Sequence, residues 1–534
     1  MTDVTRPESA TASFDHPEPK GLKKNAIGLV TSTAVGLAST APAYSMAATL
    51  GFVVVIIGVQ TPLLVVLAFV PMFFSSWANK EMNAADPDCG TTFTWAARAL
   101  GPKTGWFAGG WGQVAADLLV MASYAQLAGQ YCFFLVGANG IGSDATSIWV
   151  LLVGVGWIVV LAYLCYRGIQ VAARIQVILI VVETIMLALL AVVAFWKVGA
   201  GTAPVGHLVP SWSWFNPFKI SSFNTFMEGM LLMVFIYWGW DTTVSLNEET
   251  EDPRGAPGTA GVLSTVILLV TYLLVTMSVQ SYAGIGSQGI GLGNPAHQND
   301  VLSVLGTAIF GSSGLGTLMS RLLILMVLTS TAATAQTTIL PNARTTLSMS
   351  FHKALPEAFG RVHPKYRSPT VSTVVFSVAS VIFYVAINWA SHGNVISDSV
   401  TSSTFFIAMY LGITGFSCAW HYRRQLTRSV RSMWNLGIMP LLSGLLLFGF
   451  LGWNVYLAVD PNYSYTTWSM PFFPHWDIGG VLLIGIVTAA AGLAIMLAMR
   501  VTAPPFFRGE TMSEGVSITE DGLVVRFEEG REPG

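Results

Sequence analysis

Residues 235 to 254 read Phe-Ile-Tyr-Trp-Gly-Trp-Asp-Thr-Thr-Val-Ser-Leu-Asn-Glu-Glu-Thr-Glu-Asp-Pro-Arg. An apolar run is interrupted there by Trp238-Gly239-Trp240-Asp241 before it meets a charged loop. Glycine lets a membrane helix unwind, and the freed N–H and C=O groups are tolerated in a bilayer only where they face buried protein or a cavity. The stretch therefore predicts a helix broken at mid-depth. Such a break is a pointer to solute transport.

The whole chain agrees with a membrane setting. Of its 534 residues, 53% are hydrophobic and 10% charged, against about 25% charged in soluble domains. Apolar stretches of about 20 residues, enough to cross roughly 30 Å of hydrocarbon, recur twelve times between Gly28 and Arg500. They lie near 29–51, 59–79, 105–135, 147–166, 172–196, 223–246, 258–284, 315–341, 369–388, 399–420, 434–458 and 478–499. The expected fold is an all-α polytopic membrane protein.

Lysine and arginine collect in cytoplasmic loops. With the amino terminus inside, only Lys197 and Lys219 of the 26 basic residues face outward, and Arg321 lies within a segment. Clusters such as Lys20 with Lys23 and Lys24 read as topology anchors. Both termini are thus expected in the cytoplasm, with the protein in the plasma membrane. Residues 1–24 are expected to form a disordered tail and residues 501–534 a solvated carboxy-terminal tail, with a permease domain over 25–500. Cys132, Cys165 and Cys418 fall in membrane segments and Cys89 in an inner loop, so no disulfide framework is expected.

Segment one carries its own interruption, Ser39-Thr40-Ala41-Pro42-Ala43-Tyr44, where Pro42 removes a backbone donor. First and sixth are equivalent positions when ten helices form two inverted halves of five, and interrupted segments in equivalent positions point to a transporter's site. The halves would span about 25–200 and 220–425, with two added helices at about 431–500. Half-helix amino ends suit a carboxylate, and half-helix carboxyl ends and freed carbonyls suit an ammonium group or cation. A zwitterionic amino acid satisfies both.

These features resemble the amino acid, polyamine and organocation (APC) superfamily of permeases from about Gly21 to Arg500. Gly239-Trp240-Asp241, followed by Asn247-Glu248-Glu249 and Asp252-Pro253-Arg254, is similar to the family's Gly-Phe-Asp, paired glutamate and Asn/Asp-Pro-Arg pattern. Glu81 through Pro87, with Gly90, Thr91 and Phe93, resembles its inner loop before helix three. Arg344 with Leu355-Pro356 and Val362-His363-Pro364 is similar to the loop after helix eight. The resemblance implies alternating-access transport of an amino acid or amine. One departure is clear: many relatives carry Gly-x-Gly at the first break, where this chain has Ser39-Thr40-Ala41-Pro42-Ala43. An amine without a carboxylate therefore stays open beside an amino acid.

Candidate substrate contacts are Ser39, Thr40, Ala41, Pro42, Ala43, Tyr44, Asp117, Tyr237, Trp238, Gly239, Trp240 and Asp241. Asp117 and Asp241 sit at site depth. Asp241 either meets a substrate ammonium or caps the following half-helix by accepting from Thr243 or Val244. Tyr44, Tyr237, Trp238 and Trp240 are candidate lids or cation-π walls. Glu183 lies nine residues beyond Arg174, roughly 13 Å into the membrane, where a carboxyl group can gain and lose a proton. By resemblance, the position is one where some proton-coupled relatives carry a lysine. Thr329 and Ser330, with Thr331 and Thr334, offer an alternative sodium site against the carbonyls of Val35 to Ala38.

The expected function is secondary active import of an amino acid, with proton coupling ahead of sodium and an amine or polyamine permease as the alternative. A membrane enzyme or passive channel is the reading of another class. No catalytic constellation, metal-ligand spacing or phosphate loop is visible, so the chain is read as a non-enzyme without cofactor, metal or nucleic-acid partner. His297, His392 and His475 fall outside and His352, His363 and His421 inside.

Overall fold

The computed structural model describes residues 20–295, 301–311, 314–391, 394–469, 477–512, 516–518 and 524–526. The expected tail over 1–19 and the histidines at 297, 392 and 475 lie outside the described residues. Ten helical stretches are long and apolar enough to cross a membrane. The first of them, Leu29–Ala85, folds as two passes, and the shorter Phe223–Ile236 belongs to a broken one, which accounts for all twelve expected segments.

The first pass comprises α1 (Leu29–Thr40) and α2 (Pro42–Ile57). Ala41 joins them at φ 45°, ψ 66°, a left-handed conformation that a β-carbon disfavours. Pro42 opens α2, where the lack of an N–H costs no internal bond. Next come α3 (Thr61–Ala85), α4 (Thr92–Leu100) and α5 (Gly112–Leu135), the last entered through a π-helical stretch, Gly105–Trp111. Then α6 (Ile148–Tyr166) and α7 (Ile169–Gly199) complete five passes.

The sixth pass is α8 (Phe223–Ile236), irregular chain over 237–241, and the single turn α9 (Thr242–Ser245). After it run α10 (Ala256–Ala283), α11 (Val301–Phe310), α12 (Leu315–Phe351), α13 (Thr370–Ser391), α14 (Asn394–His421), α15 (Met439–Ala458) and α16 (Gly480–Thr502). The breaks thus fall in the first and sixth passes, as expected. Helix α12 continues through Pro341 ten residues past its expected end, and α11 was not foreseen from hydropathy. Two short antiparallel pairs, Thr467–Ser469 with Asp477–Gly479 and Val516–Ile518 with Val524–Arg526, are the strands in an otherwise helical chain.

Packing puts the broken helices at the centre. Helix α1 lies against α7, α10 and α12, and α2 against α8 and α12. Outward faces of α6, α7 and α16 expose Val159, Ile178, Ile185, Ile486 and Val487, side chains suited to lipid. The two breaks touch. Gly239 has φ +119°, and a β-carbon there would lie 2.6 Å from the Ser39 carbonyl oxygen. Only glycine offers both that conformation and that clearance.

The end of the bundle near Lys20 is closed by buried charge. Lys20 Nζ sits 2.8 Å from Asp88 Oδ2 and 2.7 Å from Glu248 Oε1. Ser348 donates to Asp88 Oδ1 at 2.6 Å, His352 Nε2 lies 3.0 Å from Asp88 Oδ2, and Arg344 Nε donates to Glu249 Oε2 at 2.5 Å. One cluster therefore ties the chain's start, the loop after α3, the exit from α9 and the end of α12. Lys20, expected within the disordered tail over 1–24, is instead buried and ion-paired. Of the tail expected over 501–534, the part up to Met512 packs instead: in α17 (Pro504–Phe507) Phe506 is buried and stacks on Phe93 at 5.5 Å, and Met512 is buried too.

Burial pushes the Asp88 carboxyl up, but the Lys20 charge and the His352 hydrogen bond hold it well below the usual carboxylate range. Burial likewise lowers Lys20, yet Asp88 and Glu248 hold it well above the ordinary lysine value. A depressed carboxyl adds stability that is complete above about pH 4 and fades as pH falls further; a raised lysine loses its share only above about pH 10. Lys20→Met leaves buried carboxylates uncompensated and is expected to cost about 3 kcal/mol, seen as a lower melting temperature in detergent. The wild-type advantage over that variant should shrink as pH drops below about 4. Gly239→Ala is expected to destabilise by about 1–3 kcal/mol in the same assay.

Candidate substrate site at the paired helix breaks

Where the breaks meet, Ser39 Oγ and Thr242 Oγ1 share a hydrogen bond of 2.8 Å. Beside them lies a hollow of about 10 Å³, lined among others by Ser39, Asp117, Trp238, Gly239, Asp241 and Tyr410. That is roughly the space one water-sized group needs. Asp117 and Asp241 are 4% and 7% exposed. Asp117 Oδ2 accepts from Asn342 Nδ2 at 2.6 Å, and Asp241 Oδ2 accepts from the Tyr410 hydroxyl at 2.7 Å. The Tyr410 oxygen in turn accepts from Trp238 Nε1 at 2.5 Å. This chain fixes the indole and phenol rings over the acid.

A larger cavity of about 1150 Å³ lies toward the end of the bundle away from Lys20, with Tyr44, Ser123, Glu228, Tyr456, Asp460 and Tyr463 in its wall. The two spaces adjoin. Ser123 lines the larger and Tyr124 the smaller, and Phe235 of the larger lies 6.1 Å ring to ring from Trp238 of the smaller.

Glu183 of α7 is 2% exposed and bridges two other helices. Its Oε1 accepts the Ala43 N–H at 2.6 Å and the Ser330 hydroxyl at 2.9 Å. Pro42 has no N–H and the Ala41 N–H goes to the Ala38 carbonyl, so Ala43 presents the first available donor at the amino end of α2. An acid there is favoured by the half-helix dipole. One turn further along α12, Thr334 donates to the Ala38 carbonyl at 2.9 Å.

Of the expected contacts, Ser39, Asp117, Trp238, Gly239 and Asp241 line the hollow and Tyr44 the larger cavity. Thr40, Ala41, Pro42 and Ala43 shape the break without lining either space. Thr40 Oγ1 bonds back to the Leu37 carbonyl. Tyr237 and Trp240 line neither space: the Tyr237 hydroxyl donates to the Val65 carbonyl, and Trp240 is fully buried against Gly261. Asp241 does not cap α9 with its side chain; Tyr410 supplies its hydrogen bond instead. Thr329 bonds its own helix at Met326, whereas Ser330 reaches Glu183. Sequence reasoning missed Tyr410, Asn342 and Thr337, because one tyrosine, amide or hydroxyl on an apolar helix carries no mark of the face it occupies.

The chain matches the amino acid permease family over residues 25–488. It is 27% identical over 254 residues to a branched-chain amino acid permease of Lactococcus lactis subsp. cremoris, a match spanning 44% of this chain and 52% of that protein. A branched-chain amino acid permease of Bacillus subtilis is 21% identical over 336 residues, covering 59% of this chain and 65% of the relative. An uncharacterised transporter of Mycobacterium tuberculosis is 25% identical over 402 residues, 74% of this chain and 82% of the other. The broken first and sixth helices, the buried junction between them and this family match lead to one assignment: the chain is a polytopic membrane protein of the amino acid permease family, a transporter and not an enzyme.

Proposed function

We propose that the protein is a secondary active transporter that imports an amino acid or a closely related amine across the plasma membrane by alternating access. The observation that carries this reading is the meeting of the two helix breaks at an acid-lined hollow beside a wide cavity at one end, while the other end is closed by the Lys20 cluster. The skew of lysine and arginine supports a cytoplasmic Lys20 end, and with that orientation the conformation is outward-facing. Transport then requires Trp238 and Tyr410 to admit the solute and the Lys20 cluster to separate.

Proton coupling is assigned to Glu183. Ionised, its carboxylate holds α2 through the Ala43 N–H and α12 through Ser330. Protonation removes the charge that makes those bonds strong, which frees α2 to move relative to α7 and α12. Of the hydroxyls expected to hold sodium, Ser330 donates to Glu183, Thr334 to the Ala38 carbonyl, and Thr329 and Thr331 to carbonyls of their own helix. The names of the Lactococcus and Bacillus relatives support an amino acid as solute.

In proteoliposomes, Glu183→Gln is expected to abolish accumulation driven by an inward proton gradient while leaving solute exchange across the membrane measurable. Proton-driven accumulation equal to wild type would reject the coupling role, and sodium-dependent uptake by the wild type would reinstate the other ion.

A further inference from the structure

The charges around the transport route select among solutes. Glu228 and Asp460 line the wide cavity, Asp117 and Asp241 line the hollow, and among the described residues no lysine, arginine or histidine lines either space. Among the described residues, no cation lies within ion-pair distance of Asp117, Asp241 or Glu183. A buried carboxylate without a countercharge is costly and attracts one. Asp117 and Asp241 each have one oxygen bonded, to Asn342 and to Tyr410. The space between them admits about one small group.

The first donor that an anion would meet at α2 is taken. A zwitterionic amino acid needs donors for its carboxylate, and the amino ends of the two half-helices are where such donors stand free. At α2 the first available N–H, that of Ala43, is held by the Glu183 carboxylate at 2.6 Å. At α9 the residue preceding the turn is itself an acid, Asp241. The protein's own carboxylates thus stand where a solute carboxylate would go, and the aromatic residues Tyr44, Tyr410, Trp238 and Tyr456 line the way. Aromatic faces favour cations over anions.

On the transporter reading above, we infer that the preferred solute is a primary amine lacking an α-carboxylate, whose ammonium group sits between Asp117 and Asp241. The wide cavity then gathers cations by its own two acids, and Trp238 and Tyr410 close over the bound ammonium.

The test is equilibrium binding to the purified full-length chain in detergent, read by thermal stabilisation with ethanolamine, putrescine, alanine and leucine. Ethanolamine or putrescine is expected to stabilise at concentrations at least tenfold below those at which alanine or leucine does. Asp117→Asn is expected to weaken amine binding tenfold or more, since a charge-assisted bond is lost. Asp241→Asn serves as the second variant should the first not fold, and the wild-type ranking stands without either. Alanine or leucine binding as well as both amines, or none of the four binding, would overturn the inference. A bound amine that is not accumulated against a gradient in proteoliposomes would instead sink the transporter reading while leaving the recognition chemistry standing.

Discussion

Polar backbone set loose at membrane depth has to be satisfied by protein, because lipid offers neither donors nor acceptors. The arrangement around Ala41 and Gly239 follows from that constraint. The Ala38 carbonyl takes the Thr334 hydroxyl, the Thr40 carbonyl takes the Ser45 hydroxyl, and the Ala43 N–H takes Glu183. Satisfying these groups pulls α7 and α12 against the first break. Gly239 lets the second break press onto the Ser39 carbonyl from the other side. The core of the bundle is thus polar at its centre and apolar around it, the reverse of a soluble domain, and its polar centre is where a solute can be held.

Much of this was legible in the residues themselves. Twelve apolar stretches, Pro42 and the Trp-Gly-Trp-Asp sequence marked the passes and the two breaks, since length, proline and glycine act locally on the backbone. Glu183 announced itself by depth alone. What stayed hidden depends on helix rotation, which a uniformly apolar sequence does not encode. Trp238 and Trp240 both flank Gly239, yet one caps the hollow and the other packs against Gly261. Thr329 and Ser330 are neighbours in sequence, and a turn of about 100° decides which of them meets Glu183. The family pattern placed Glu248, Glu249 and Arg344 in inner loops, but the pairing of Arg344 with Glu249 and of Lys20 with Glu248 exists only in three dimensions.

The distribution of charge divides the molecule functionally. Acids without cationic partners occupy the route, and acids with cationic partners occupy the Lys20 end. On the proposed reading, the first set is neutralised by what enters, a proton or an ammonium group. The second is neutralised internally and so holds the structure together. Asp117 and Asp241 are buried like Asp88 and Glu249, and only their partners differ.

A gate made of buried ion pairs suits alternation for an energetic reason. Removing Lys20, Asp88 and Glu248 from water is expensive, and their mutual attraction offsets that cost without greatly exceeding it. When the Lys20 end opens, each group is returned to water, so the separated state is penalised far less than the loss of two short ion pairs suggests. An apolar plug would behave differently, since every opening would expose hydrocarbon surface at about 25 cal/mol per Å² with nothing gained in return. Two conformations separated by only a few kcal/mol can be exchanged by modest differential binding, tenfold for each 1.4 kcal/mol. Filling the hollow at Asp117 and Asp241, or protonating Glu183, acts on α2 and on the segment joining α8 to α9, and Glu248 and Glu249 lie directly beyond α9. On the proposed transport cycle, the short helix α9 is the link through which neutralising a carboxylate at the centre reaches the ion pairs that close the end.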